Sequence, residues 1–419
     1  MERLRVIGGN QLKGSLTCAG SKNAALPMLA ASILCDAPVV FKNLPYLQDI
    51  TTMFELLGSM GADITLDESG DFQVDASKLN DVAARYELVK TMRASILVLG
   101  ALIGKYGKAK IALPGGCAIG SRPVNYHLNA LKKLGAEIEL RDGYILAKAK
   151  KLKGTEIVME GITVTGTENL MMAATLAEGT TKLSNVAKEP EIVDLEEFLN
   201  SMGARVSGAG SDVIIIEGVK SLRGCEHTIP ADRIEAGTYL VAAALSKGTV
   251  EIKKAQPIRM TNILEALRLC GFQIDVMEDS IQLSTVSDSI TPIDITTAPF
   301  PGFPTDMQAQ FTVLNALANG SSVVTENIFE NRFMHVQELN RMGCNISVKG
   351  ANAFIKGVPE ISGAEVMATD LRASASLVLA GLTAKGETIV DRIYHIDRGY
   401  ERIEEKLAYL GASIERLPK

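Results

Sequence analysis

The residues best equipped for chemistry lie in loops. Pro114–Pro123 reads PGGCAIGSRP, where three glycines and two prolines bracket a single Cys117, with Arg122 five residues on. Glycine hinges suit a loop that closes over a site, and a thiol beside a cation ionises more readily and becomes reactive. Further cations sit in other loops: Lys22 in AGSKNAAL, Arg93 in VKTMRAS, Arg233 in PADRIEAG, Arg332 in FENRFMHV, Arg372 in ATDLRASAS and Arg398 in YHIDRGYERI. Lys22, Arg93, Arg233, Arg372 and Arg398 stand at the starts of apolar helical runs, where a cation opposes the helix macrodipole. An anion shared between the helix ends and these side chains resolves that conflict.

Acids share the same loops, among them Asp49, Glu168, Glu189, Glu191, Asp232, Asp306 and Asp370. Asp306 in FPTD and Asp370 in TDLR stand where a base or an orienting group is needed beside an anion. Each is equally compatible with a helix cap or a salt bridge to a neighbouring arginine. Thr17, Ser21 and Thr369 read as ordinary N-caps.

Other chemistries are disfavoured. The four histidines (127, 227, 335, 395) make no HExxH or triad-like set, and the six cysteines (18, 35, 117, 225, 270, 344) contain no CxxC pair. No metal site is therefore expected. There is no Walker A sequence, and GGCAIG lacks the strand–turn–helix context of a dinucleotide fingerprint. A net charge of −6 argues against nucleic acid as a partner. Unpaired cysteines in a chain of 419 residues fit reduced thiols in the cytoplasm. The apolar run from Ala24 to Cys35 is too short to cross a bilayer and recurs in kind five more times, so it reads as a buried helix, not an export signal or membrane anchor.

These loops must be held by repeated elements. An amphipathic helix ending in Gly and running into a short strand occurs six times, at Gly61, Gly135, Gly203, Gly271, Gly343 and Gly411, at intervals of 74, 68, 68, 72 and 68 residues. Glycine suits a left-handed helix C-cap at each. A second series, an Ala-rich helix turning into a β-branched strand, interleaves with the first, as in LAEGTTKLSN and LSKGTVEIKK. The segments at Leu12–Gly14, Leu152–Gly154, Leu222–Gly224 and Ile361–Gly363 open four of the units with a strand. Each unit reads strand–helix–strand–helix–strand–strand. The first helix is apolar nearly all round and belongs inside, with sheets outside it. Six units divide into three plus three, and residues 1–21, lacking a helix before Lys22, are placed to complete the sheet of the last unit. A bare repeat is also compatible with a scaffold.

GSKNAALP, VKTMRAS, LPGGCAIGSRPV, AATLAEGTT, EPEIVD, FPTDMQAQFT, ENRFMHV, ATDLRASASLVLAG and YHIDRGYERIEEKL together resemble the UDP-N-acetylglucosamine enolpyruvyl transferases, co-linearly and over essentially the whole chain. The resemblance implies an α/β fold like that of EPSP synthase: two inside-out domains, each of three βαβαββ repeats around a helical core. It divides the chain into 22–229, carrying the Cys117 loop, and a discontinuous 1–21 plus 230–419. The implied activity is transfer of enolpyruvyl from phosphoenolpyruvate to the 3-hydroxyl of UDP-N-acetylglucosamine with release of phosphate, opening peptidoglycan precursor synthesis, without metal or organic cofactor. Transfer to shikimate 3-phosphate is the alternative. Carried over by position, Cys117 resembles the acid that protonates C3, and fosfomycin, a phosphonate epoxide, is expected to alkylate it. Asp306 is the candidate acceptor of the hydroxyl proton. Lys22, Arg122 and Arg398 resemble partners of the phosphate group, and Arg332 and Arg372 partners of the carboxylate. Asn23, Arg93, Arg122, Pro123, Val124, Asn125, Tyr126, Val164, Asp306 and Ile328 resemble the nucleotide-sugar site. Glu189, Arg233 and Asp370 resemble residues lining the substrate cleft. Gln48, Gly161 and Asn125 depart from the family's usual basic residue, Lys and Asp, which bears on the nucleotide contacts.

Overall fold

The amphipathic helices stop where the glycines are. In the computed structural model, which describes residues 2–114 and 124–418, the six repeated glycines have φ between 98° and 105°, a range in which a Cβ is strained. At the end of Gln48–Ser59, the N–H of Gly61 donates to Gly58 O at 3.0 Å and that of Ala62 to Leu57 O at 3.1 Å. The helix His335–Arg341 ends alike, with Gly343 donating to Asn340 O and Cys344 to Leu339 O. This paired closure satisfies the last carbonyls and turns the chain directly into a strand.

The strands form six four-stranded sheets with one shared order. In one of them Ile295–Thr296 runs parallel to Ser321–Thr325, which is antiparallel to Asn352–Lys356, and that strand is antiparallel to Asn345–Lys349. The parallel pair needs a crossover, which here contains the helix Gln308–Ala316. Strands such as Asn352–Lys356 alternate buried and outward residues, as a sheet covered on one face should.

Three sheets recruit strands from far along the chain. Arg3–Ile7 lies between Glu387–Asp391 and Ser413–Leu417, placing Leu4 opposite Val390 and Val6 opposite Ile414. Lys13–Thr17 opens the next sheet, parallel to Thr249–Lys253. Glu226–Thr228 likewise opens the sheet that begins with Val39–Lys42. The chain accordingly separates into two compact units, residues 2–19 with 231–418, and 20–114 with 124–230.

Inside each unit the first-type helices make the core. In one unit these are Lys22–Ala31, Val98–Tyr106 and Val164–Thr175, and in the other Arg233–Leu245, Gln308–Ala316 and Leu371–Thr383. Every residue from Ile234 to Leu245 is buried. Polar residues on such helices are bonded internally: Asn169 Nδ2 donates to Ile96 O at 3.1 Å, and its Oδ1 accepts from Gly100 N at 2.7 Å. Satisfied in this way, a buried amide ties two helices together at little net cost. Among the described residues no helix is long and apolar enough to cross a membrane, and no group of three or more His, Cys, Asp or Glu could hold a metal ion.

The N-caps differ in part from expectation. Ser21 does cap Lys22–Ala31, accepting from Ala24 N. Thr17 instead ends the strand Lys13–Thr17, and the cap of Leu371–Thr383 is Asp370, not Thr369. A carboxylate in extended geometry one residue nearer the helix wins because its oxygen reaches both orphan N–H groups of the first turn.

Candidate active site

In the unit that contains residues 231–418, three core helices start with acids in two arrangements. Asp232 caps Arg233–Leu245, its Oδ1 accepting from Ile234 N at 2.8 Å and Glu235 N at 3.2 Å. Asp370 caps Leu371–Thr383 through Oδ1, with Arg372 N and Ala373 N both at 3.0 Å. Asp306 lies in the 3-10 turn Thr305–Met307 ahead of Gln308–Ala316 and turns its carboxylate elsewhere.

That carboxylate is held by two arginines. Arg332 Nη2 lies 2.8 Å from Asp306 Oδ1, and Arg372 Nε donates to Oδ2 at 3.3 Å. Arg332 is fixed further by Nη1 donating to Thr305 Oγ1 at 2.8 Å, and Thr305 Oγ1 donates to Glu326 Oε2 at 2.8 Å. Glu326 in turn accepts the backbone N–H of Ile328 and Phe329 on Oε1. The loop bearing Ile328 and the turn bearing Asp306 are therefore tied through one buried acid. Arg372 reaches Asp232 Oδ2 at 4.0 Å, and its guanidinium lies 5.2 Å from the Tyr400 ring centre. Burial alone would make Arg372 easier to deprotonate, but Tyr400, Asp306 and Asp232 outweigh it and its pKa rises.

The sequence reading placed an anion between these cations and the helix ends. Arg372, one of these cations, pairs with the protein's own Asp306, as does Arg332. In the other unit Lys22 Nζ lies 3.2 Å from Asp49 Oδ2, with both side chains nearly buried. Desolvated cations need a partner at close range, and spacing along the chain could not reveal a carboxylate that folding brings alongside.

Arg398 sits half-buried in the turn before Ile403–Tyr409. Its position depends on Gly399, where an added Cβ would lie 2.4 Å from Leu371 Cδ2. Its neighbour His395 is pushed down in pKa by burial and then by the Arg398 charge. Arg233 starts its helix with the guanidinium 5.8 Å from the Phe300 ring centre.

The unit of residues 20–114 and 124–230 carries the remaining expected residues. Lys22 and Asn23 open the helix Lys22–Ala31, Arg93 begins the 3-10 turn Arg93–Leu97, and Val164 begins Val164–Thr175. Asn125 is exposed at the start of Asn125–Lys133. Tyr126 is half-buried with its ring over Gly161, where a Cβ would meet Tyr126 Cε2 at 2.8 Å. A side chain at 161 and this ring position exclude each other. Gln48 is exposed at the first residue of Gln48–Ser59. Cys117, Arg122 and Pro123 lie outside the described residues; Val124 is the half-buried residue preceding Asn125–Lys133.

Acids gather here as well. Glu168 is 2% exposed on its core helix, and burial followed by the charges of Glu191 and Glu189 raises its pKa well above the ordinary value. Glu189 caps the helix Pro190–Ser201 positionally, and Glu191 lies in its first turn.

Several residues around these sites escaped the sequence reading. Thr305 and Glu326 position Asp306 and Ile328. Gln310 Nε2 donates to Thr238 Oγ1 and Asp306 O, both at 3.0 Å, and Thr238 and Tyr400 share a hydrogen bond of 2.9 Å. His335 is fully buried beside Arg332 and Asp370. The only signals for them were adjacency, Thr305 to Asp306 in FPTD and His335 to Arg332 in ENRFMHV.

A sequence model of EPSP synthase (3-phosphoshikimate 1-carboxyvinyltransferase) matches residues 6–407. The chain is 57% identical over 418 residues to a UDP-N-acetylglucosamine 1-carboxyvinyltransferase of Coxiella burnetii, covering 100% of this chain and 96% of that one. It is 56% identical to the protein of that name from Halorhodospira halophila, covering 100% of both. Among solved structures, the enolpyruvyl transferase NikO from Streptomyces tendae superposes with a TM-score of 0.89 at 27% identity, over 100% of this chain and 99% of that one. EPSP synthase from Acinetobacter baumannii superposes over 100% of both chains with a TM-score of 0.77 at 18% identity, a likeness of fold.

Proposed function

The chain belongs to the EPSP synthase family of enolpyruvyl transferases, and on that premise we propose that it transfers the carboxyvinyl group of phosphoenolpyruvate to UDP-N-acetylglucosamine. The observation that carries this reading is end-to-end identity of 56–57% to proteins bearing that activity in their names. The reaction adds the sugar 3-hydroxyl to C2 of phosphoenolpyruvate while C3 gains a proton. The C2–O bond to phosphate then breaks as C3 gives a proton back.

In this reading Lys22, Arg122 and Arg398 hold the phosphate group as charge builds on it, the kind of preorganised electrostatics that contributes most to rate. Cys117 delivers the proton to C3 and is the site of any pyruvate adduct and of fosfomycin alkylation. Asn23, Arg93, Pro123, Val124, Asn125, Tyr126, Val164 and Ile328 hold the nucleotide sugar. Glu189, Arg233 and Asp370 line the cleft.

The role of Asp306 needs sharpening. A carboxylate bonded to two guanidinium groups is a weak base. We assign it to orient the 3-hydroxyl, taking the proton only as the new C–O bond makes that oxygen strongly acidic. Arg332 and Arg372 then act on the phosphoenolpyruvate carboxylate and on Asp306 together. We assign the two three-repeat domains to 22–229 and to 1–21 plus 230–419. The product would feed peptidoglycan synthesis in the cytoplasm, and so cell shape and division, consistent with acidic composition and unpaired thiols.

Phosphate release measured with each acceptor tests the reading. Release with UDP-N-acetylglucosamine and none with shikimate 3-phosphate is expected; the opposite pattern would overturn it.

A further inference from the structure

His335 opens the helix His335–Arg341 and is 0% exposed. A neutral imidazole carries one donor and one acceptor, yet among the described residues neither Nδ1 nor Nε2 has a hydrogen-bond partner. Across from it, the helix cap Asp370 spends only Oδ1 on the backbone. Its Oδ2 is buried without a partner, as is Oγ1 of the adjacent Thr369. Unmade bonds of this kind are rare in folded proteins and call for an explanation. Here the unmet needs are complementary, since a carboxylate oxygen accepts only and an imidazole N–H donates.

The helix His335–Arg341 packs against Leu371–Thr383, and the charges that act on the ring are Asp370, at the start of that second helix, and Arg332, from the turn ahead of its own helix. Both belong to the assembly already described. Arg332 holds Asp306 Oδ1, and the helix that Asp370 caps carries Arg372, which holds Oδ2. Burial favours the uncharged ring, and the Arg332 charge acts in the same direction against the pull of Asp370.

We propose that His335, as a neutral imidazole donating to Asp370 Oδ2 through one water, is a positioning residue that locks Arg332 and Arg372 on Asp306. The imidazole is well suited to this. It offers a donor to the carboxylate without adding a third cation beside Arg332 and Arg372. The inference rests on the proposed transferase reading only for its kinetic readout.

The test uses the full-length enzyme with His335→Phe and His335→Gln. Phenylalanine keeps a planar ring but no bonds, whereas glutamine keeps a donor and an acceptor. Removing one hydrogen bond to a charged group should lower kcat roughly 10- to 100-fold in His335→Phe, with KM for the nucleotide sugar little changed. Because the buried Asp370 carboxylate then loses its donor, the melting temperature should fall in His335→Phe and largely recover in His335→Gln. His335→Gln should recover most of the lost kcat. In 15N-labelled wild-type protein, the His335 ring should be neutral at pH 7, and Asp370→Asn should shift its N–H nitrogen. Unchanged kcat in His335→Phe, a loss that Gln does not restore, or an imidazole signal indifferent to Asp370→Asn would overturn the proposal. The spectroscopic arm stands even if the enzyme proves to use another acceptor.

Discussion

Replacing Asp306 by Asn removes a negative charge that lies within hydrogen-bond distance of two buried arginines. The side chains of Arg332 and Arg372 are 7% and 2% exposed, whereas that of Asp306 is 26% exposed. Breaking a fully buried pair by removing one partner costs about 3–5 kcal/mol. The partial exposure of Asp306 and the second carboxylate near Arg372, Asp232 at 4.0 Å, reduce this to about 2–3 kcal/mol. Hydrogen exchange of Thr305–Met307 and the first turn of Leu371–Thr383, followed in dilute urea, would report the loss where it occurs. A double-mutant cycle with Arg332→Met isolates the pair. Because Met removes the cation that Asn leaves uncompensated, the double mutant should be more stable than additivity predicts, by about 1–2 kcal/mol. Since the arginines are buried, raising salt should change this coupling little. Additivity within about 0.5 kcal/mol, or a coupling abolished by salt, would refute the claim that Asp306 is held as the anchor of this assembly.

Other consequences follow from the same geometry. Glu168 has a raised folded-state pKa, so above the ordinary 4.5 the folded state holds a proton that the unfolded state has lost. Stability then falls as pH rises from 4.5 through the folded pKa, by about 1.4 kcal/mol per pH unit. Glu168→Gln should remove that slope, and the gap between variant and parent in urea midpoint should widen with pH and vanish below 4.5. Burial raises the thiol pKa of Cys18, Cys35 and Cys225 and pushes Cys270 and Cys344 up to about 12. Iodoacetamide at pH 7.5 should therefore label the native protein at Cys117 and spare the other five until denaturant is added, as read by peptide mass mapping. Gly399→Ala would drive a Cβ against Leu371 and displace Arg398. A stability loss of about 1–3 kcal/mol is expected, with KM for phosphoenolpyruvate raised more than KM for the nucleotide sugar.

The architecture was legible because its signals are local and repeated six times. Gly61 and its five counterparts need a left-handed conformation wherever a helix must stop, and largely apolar runs such as Ala236–Leu245 belong in the interior. The place of Arg3–Ile7 beside the last repeat could be anticipated because that segment had no helix of its own. The types of the site residues could also be read, but not their pairing. Arg332 and Arg372 read as cations for an external anion, and separations of 26 and 66 positions from Asp306 conceal that they also meet it. Thr369 looked as good a cap as Asp370, and only the backbone angle at the helix start decides between them. His335 looked like one histidine among four. Its interest comes from neighbours that folding supplies, Asp370 above all. The contact of Tyr126 with Gly161 was invisible for the same reason, and it gives one departure from the family pattern a steric cause.

The claim that this chain acts on a nucleotide sugar is tested most directly by competition in one vessel. The enzyme is supplied with phosphoenolpyruvate and equal amounts of UDP-N-acetylglucosamine and shikimate 3-phosphate, and the products are identified by mass. The account predicts that the nucleotide sugar alone gains a carboxyvinyl group, with one phosphate released for each molecule modified. A carboxyvinyl group on the shikimate compound, or phosphate release with neither acceptor altered, would contradict it.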